Sequence, residues 1–114
     1  MTPMATTLEQ FRQALLTALE RHFPQAEVTL TQSRGFVLSG RARLDAEMLI
    51  ADYFNALTGK TSYALIRQDR RLAGYDNYKF WHYHPPEEID RHEPCAEPTP
   101  EEAIAELARV SRLL

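Results

Sequence analysis

The apolar residues of this chain change period twice, from helix to strand and back to helix, and that double switch constrains the fold more than any single motif. Leu8, Phe11, Leu15, Leu19 and Phe23 recur at helical spacing, and Thr7 with Gln10 has the form of a capping box. The spacing predicts a helix over about residues 7–23, ended by Pro24. Val28 and Leu30 then alternate with polar neighbours, and Ser33-Arg34-Gly35 reads as a turn. In the following run Phe36, Leu38, Ala42 and Leu44 share one face, while Ser39, Arg41 and Arg43 share the other, as in a half-buried strand. Gly40 is expected to mark a bulge there.

Residues 45–58 fit both periods. Leu49, Tyr53 and Leu57 with Gly59 behind them suit a helix, whereas Met48, Ile50 and Phe54 line one face of a strand. Thr61–Arg67 and Leu72–Asn77 flank Gln68-Asp69-Arg70-Arg71, a connection of hairpin length. Residues 78–98 keep no period and contain Pro85, Pro86, Pro94 and Pro98, which predicts a long loop. Thr99, Pro100 and Glu102 then occupy the N-cap, N1 and N3 positions of a helix expected over residues 100–114. Ile104, Leu107, Val110 and Leu114 lie on one of its faces, with Arg109 and Arg112 near its C-terminus.

The expected architecture is an α+β single domain over residues 1–114: an N-terminal helix, an antiparallel meander of about four to five strands over about residues 26–77, and a C-terminal helix. The two helices are expected on one sheet face and the loop after Asn77 on the other. A chain of 114 residues with 44% hydrophobic content can bury roughly two-thirds of its unfolded surface, so folding itself requires no metal and no disulfide. Cys95 is the only cysteine, which excludes an internal disulfide and fits a reducing compartment. Met1 to Thr7 lacks the basic-then-apolar pattern of a secretory leader and no stretch approaches a membrane span, so the expected location is cytoplasmic.

The net charge of −3 argues against a nucleic-acid coat protein. Charge is nevertheless uneven, with eight basic and five acidic side chains over residues 34–79 and eight acidic ones against Arg91 alone over residues 87–106. The middle of the chain can face an anion. Even so, the Arg41 and Arg43 face is read as a solvated strand surface rather than an RNA track. His22 is expected at solvent or at the end of its helix, and Cys95 is expected to be inert.

His82, His84 and His92 fall within eleven residues, beside Tyr75, Tyr78, Phe80, Trp81 and Tyr83. Two imidazoles flanking a reacting atom can take and return a proton, and a carboxylate such as Asp76 can orient one of them. In the preferred reading His82 or His84 is the base, His92 the acid and Asp76 the orienting group of a ribonuclease that needs no metal and no cofactor. Tyr75, Asn77, Lys79, Trp81 and Arg71 are its expected substrate contacts, by stacking on bases or holding phosphates, with Arg67 and Arg70 nearby. A second reading is a zinc or iron site in which His92 or Glu87 joins His82 and His84. A third is a non-enzymatic module whose aromatic lid docks a ligand or protein.

From about Gly40 onward the chain resembles the TumE-like family of small prokaryotic toxins. Tyr75-Asp76-Asn77 matches the centre of that family's Arg-Tyr-Asp-Asn motif, His82 to Pro86 corresponds to its first histidine segment, and His92 to its second. Three features depart from the family pattern: Gly74 stands where the arginine is usual, Tyr78-Lys79-Phe80-Trp81 replaces a short Ala-Pro link, and the second segment keeps a single histidine. The resemblance implies a strand over about residues 47–55 and a type II toxin neutralised by a DNA-binding antitoxin protein. The resemblance names no target; RNA enters as a partner only through the histidine and aromatic chemistry above. The order helix, meander, helix is also similar to that of RelE-like and barnase-like ribonuclease toxins.

Overall fold

A computed structural model describes residues 6–114. The leader expectation concerns in part Met1 to Ala5, which lie outside the described residues. The fold is α+β. Its elements in chain order are α1 (Leu8–His22), β1 (Glu27–Ser33), β2 (Val37–Arg43), β3 (Met48–Asn55), β4 (Thr61–Arg67), β5 (Arg70–Asp76), β6 (His82–His84), β7 (Glu93–Pro94) and α2 (Pro100–Ser111). The strands form one antiparallel sheet in the order β1-β2-β3-β4-β5-β6-β7, so every neighbour in sequence is a neighbour in space.

Both helix starts follow from their sequences. The Thr7 hydroxyl accepts the Gln10 N–H and the Gln10 side chain accepts the Thr7 N–H; Thr99 and Glu102 repeat the arrangement in front of α2. The helices pack on each other and on the same sheet face. There Phe11, Leu15 and Leu19 of α1 and Ile104, Leu107 and Val110 of α2 meet Leu38, Ile50, Phe54, Tyr63 and Leu65 in a buried core. Phe11 stacks on Phe54 with ring centroids 4.4 Å apart. His22 ends α1 and joins the helices, with its Nε2 2.7 Å from Glu101 Oε1. Among the described residues no helix is long and apolar enough to cross a membrane.

The double reading of residues 45–58 resolves as strand over Met48–Asn55, with Ile50, Asp52 and Phe54 buried and Leu49, Ala51 and Tyr53 on the opposite face. The β4–β5 hairpin turns on two residues rather than four. Gln68 (φ 49°) and Asp69 (φ 64°) are both left-handed, as a primed turn requires, and Arg70 and Arg71 already belong to β5. The predicted bulge at Gly40 is absent, because β2 stays in continuous register with both neighbours. Gly40 instead leaves room for a side chain: a Cβ there would lie 2.3 Å from Asp52 Oδ1. The irregularity falls between β4 and β5, where Leu65 pairs with Ala73 and Ile66 with Arg71, leaving Leu72 as the extra residue.

The sheet does not end near residue 77 as predicted, and residues 78–98 are not one uninterrupted loop. His82–His84 pairs with Gly74–Asp76, and Glu93–Pro94 pairs with His82 and Tyr83, which brings the total to seven strands. Gly74 permits β5 to pack here. A Cβ at this position would stand 2.5 Å from the Tyr63 carbonyl oxygen, a backbone atom that cannot rotate away. Gly74→Ala is therefore expected to destabilise the fold by about 1–3 kcal/mol, measured as a lowered denaturation midpoint. An unchanged midpoint would mean that β5 can shift freely against β4.

Candidate metal centre

Strand alternation determines what the histidines face. On β6, Tyr83 points to the helices, where its hydroxyl donates to Glu106 Oε2. Glu106 in turn accepts two hydrogen bonds from Arg109, at 2.8 and 2.7 Å. With Tyr83 fastened to α2, His82 and His84 must point to the other face, where Asp76 at the end of β5 lies directly opposite His82.

The two imidazoles are 2% exposed and are held at both ring nitrogens. His82 Nδ1 lies 2.8 Å from the Phe80 carbonyl oxygen and His84 Nδ1 lies 3.0 Å from the Ile89 carbonyl oxygen. A carbonyl only accepts, so each Nδ1 carries a proton. Both Nε2 atoms then converge on one carboxylate, His82 at 3.1 Å from Asp76 Oδ1 and His84 at 3.0 Å from Asp76 Oδ2. Burial pushes the Asp76 carboxyl up, but the Tyr78 N–H and then His84 and His82 outweigh it and hold the group below the usual carboxylate value. His92 closes the cluster from the solvent side: its ring stacks on His82 at 4.7 Å and meets His84 edge-on at 4.8 Å. One ligand atom from each histidine lies within 4.8 Å of the others. Glu87, the alternative third ligand in the sequence reading, is exposed and outside this group.

Neutral imidazoles with the proton on Nδ1 would aim two Nε2 lone pairs at an anion. The geometry therefore calls for positive charge between them, either two further protons or one cation. A metal ion satisfies it with a single species. Ligation through Nε2 with Nδ1–H donated to a backbone carbonyl is the outer-shell arrangement that orients metal-binding histidines. A tetrahedral ion with ligands at about 2.0–2.1 Å sets its ligands roughly 3.3 Å apart, close to the spacing of Asp76 from His82 and His84. Nitrogen and oxygen donors without thiolate suit zinc, iron or nickel.

The expected substrate contacts are scattered by comparison. Tyr75 packs against Tyr83, ring centroids 4.8 Å apart, and Trp81 lines a cavity of about 410 Å³ with Phe11 and Tyr63, both on the helix-covered side. Asn77 is used in the scaffold: its Oδ1 accepts the Thr61 N–H and its Nδ2 donates to the Gly59 carbonyl. Lys79 sits in a left-handed conformation (φ 69°) in the loop before β6, with its Nζ 5.5 Å from the Tyr78 ring centroid. Arg71 is exposed on β5, where it lines a hollow with Pro86 and Ile89. The carbonyls of Phe80 and Ile89 are parts of the site that sequence reasoning missed, since backbone groups carry no residue signature. The Tyr83–Glu106 lock had only the His-Tyr-His alternation as its signal.

What results is an α+β meander in which two buried histidines converge on a half-buried aspartate, with an exposed third histidine at the margin. Compared with known proteins, the chain matches no family model, no curated protein and no solved structure.

Proposed function

We propose that Asp76, His82, His84 and His92 bind one divalent transition-metal ion, and that this centre is the working part of a toxin-like protein. The observation that carries the reading is the convergence of two Nε2 atoms, each with its Nδ1 anchored on a carbonyl, on the two oxygens of one carboxylate. Because His92 is at the surface, an ion held by these residues would be at the solvent boundary, and the chemistry it would supply there is activation of water. The metal-independent alternative, with His82 or His84 as base and His92 as acid, needs a free ring nitrogen on the buried pair. Each of those nitrogens is engaged inside the cluster. The toxin-like role, with an antitoxin protein as partner, rests on the resemblance of residues 75–92 to the TumE-like pattern.

Cobalt(II) titration of the full chain tests the centre. The expected result is one ion per chain with visible absorption bands, and an affinity lowered at least about tenfold in His92→Ala, whose exposed ring is not needed for folding. Absence of bound cobalt, or wild-type affinity retained in both His92→Ala and His84→Ala, would remove the metal reading. Growth inhibition on expression, relieved by His92→Ala, tests the toxin role separately, and a harmless wild-type chain would end that part.

A further inference from the structure

Both helices cover one face of the sheet and leave the other open, and the metal centre lies on the open side. Strand alternation places Ser39, Arg41 and Arg43 of β2, Leu49, Ala51 and Tyr53 of β3, and Ser62, Ala64 and Ile66 of β4 on this face, continuous with Asp76, His82 and His84. We propose that this face binds single-stranded nucleic acid and leads it to the metal centre. The surface goes beyond the metal reading and depends on it only for what happens to the strand once bound.

Charge is the first support. Arg41 and Arg43 are exposed on the open face, and Lys60 reaches over it with its Nζ 5.8 Å from the Tyr53 ring centroid. Among the described residues none of these three is in an ion pair, whereas Arg21 and Arg109 on the helices are paired with Glu101 and Glu106. In a chain of net charge −3 the open sheet thus presents three unpaired cations, although Glu27 beside Arg43 and Asp76 in the histidine cluster share that face.

Shape and chemistry supply the rest. Arg41 and Arg43 are two residues apart on one strand, about 6.6 Å, and they border a hollow of about 180 Å³ with Glu27, Thr29 and Leu49. Tyr53, half-exposed next to Ser39 and Ser62, offers a ring on which a base can stack beside the phosphate-holding arginines. Between that platform and the histidines the register places small side chains, Ala51, Ser62, Ala64 and Gly74. From β2 to β5 is three strand spacings, about 14 Å, a span of a few nucleotides. An acidic peptide would satisfy the arginines but makes no use of the exposed ring, which favours the nucleic acid.

Fluorescence anisotropy of labelled twelve-nucleotide oligo-U and oligo-dT, with the full chain in chelator, tests the surface independently of the metal. The expected result is salt-dependent binding of one or both oligomers. Arg41→Ala/Arg43→Ala should weaken it by at least about tenfold and flatten the slope of log affinity against log salt by about 1.4. Tyr53→Ala should weaken it about fivefold or more. Undetectable binding at low salt, or affinity unchanged by the double arginine substitution, overturns the proposal. So does equal affinity for a poly-glutamate peptide together with indifference to Tyr53→Ala, which would mark a site for acidic polypeptide. If cobalt fails to bind while the oligomers bind as described, the metal centre is lost and the surface stands.

Discussion

Asp52→Asn is expected to raise the melting temperature strongly at pH 8 and hardly at all at pH 4. Asp52 sits on β3 among the core residues, 5% exposed, and neither of its side-chain oxygens has a hydrogen-bond partner. Burial pushes its carboxyl up from 3.8 to about 7. Because the folded state holds this proton more tightly than the unfolded chain, stability is fully present below pH 3.8. It falls as pH rises towards about 7 and is flat above. The gap withholds on the order of 4 kcal/mol from the folded state at alkaline pH. Asparagine has the same shape and fits the space above Gly40 without acquiring charge. Its advantage should therefore grow between pH 4 and 7, reaching on the order of 10 °C in melting temperature. A difference that stays constant across that range would show that the carboxyl is not the cause.

Zinc should act on stability through the histidines. At a free concentration about a hundred times its dissociation constant, an ion that binds only the folded chain contributes about 2.7 kcal/mol, or on the order of 10 °C for a chain of this size. His84→Ala should abolish the increment, since it removes one Nε2 and leaves the Ile89 carbonyl without its donor. The variant is also expected to be less stable than the wild-type protein in chelator, by about 1–3 kcal/mol. A zinc-dependent rise of equal size in His84→Ala would place the ion elsewhere.

Local chemistry made much of this fold legible in the sequence. Thr7 with Gln10 and Thr99 with Glu102 carry their caps in their side chains, and the faces of β2 separate Leu38 and Ala42 from Arg41 and Arg43 by simple alternation. The strand at Met48–Asn55 was open to two readings because apolar residues occupy both of its faces. His82-Tyr83-His84 reads as loop in the sequence for a different reason: it is three residues long, its two buried side chains are polar, and nothing local reveals that Tyr83 reaches Glu106. Prolines obscured β7, yet Pro94 is tolerated on a two-residue outermost strand. Asp76 beside the histidines was foreseeable from proximity in sequence. That Trp81 and Tyr75 would turn to the helical side, and that Asn77 would pin the β3–β4 connection, required the tertiary fold.

The sheet is lopsided, with a seven-residue strand at one margin and strands of three and two residues at the other. Backbone pairing alone gives that short margin little hold, and four side chains from β5, β6 and the segment leading to β7 meet there. An ion at their meeting point would act as a clasp, closing the hem of the sheet where its own weave is thinnest. Metal release and fraying of the last two strands would then be a single event, and whatever competed for the ion would also control whether this end of the protein is folded.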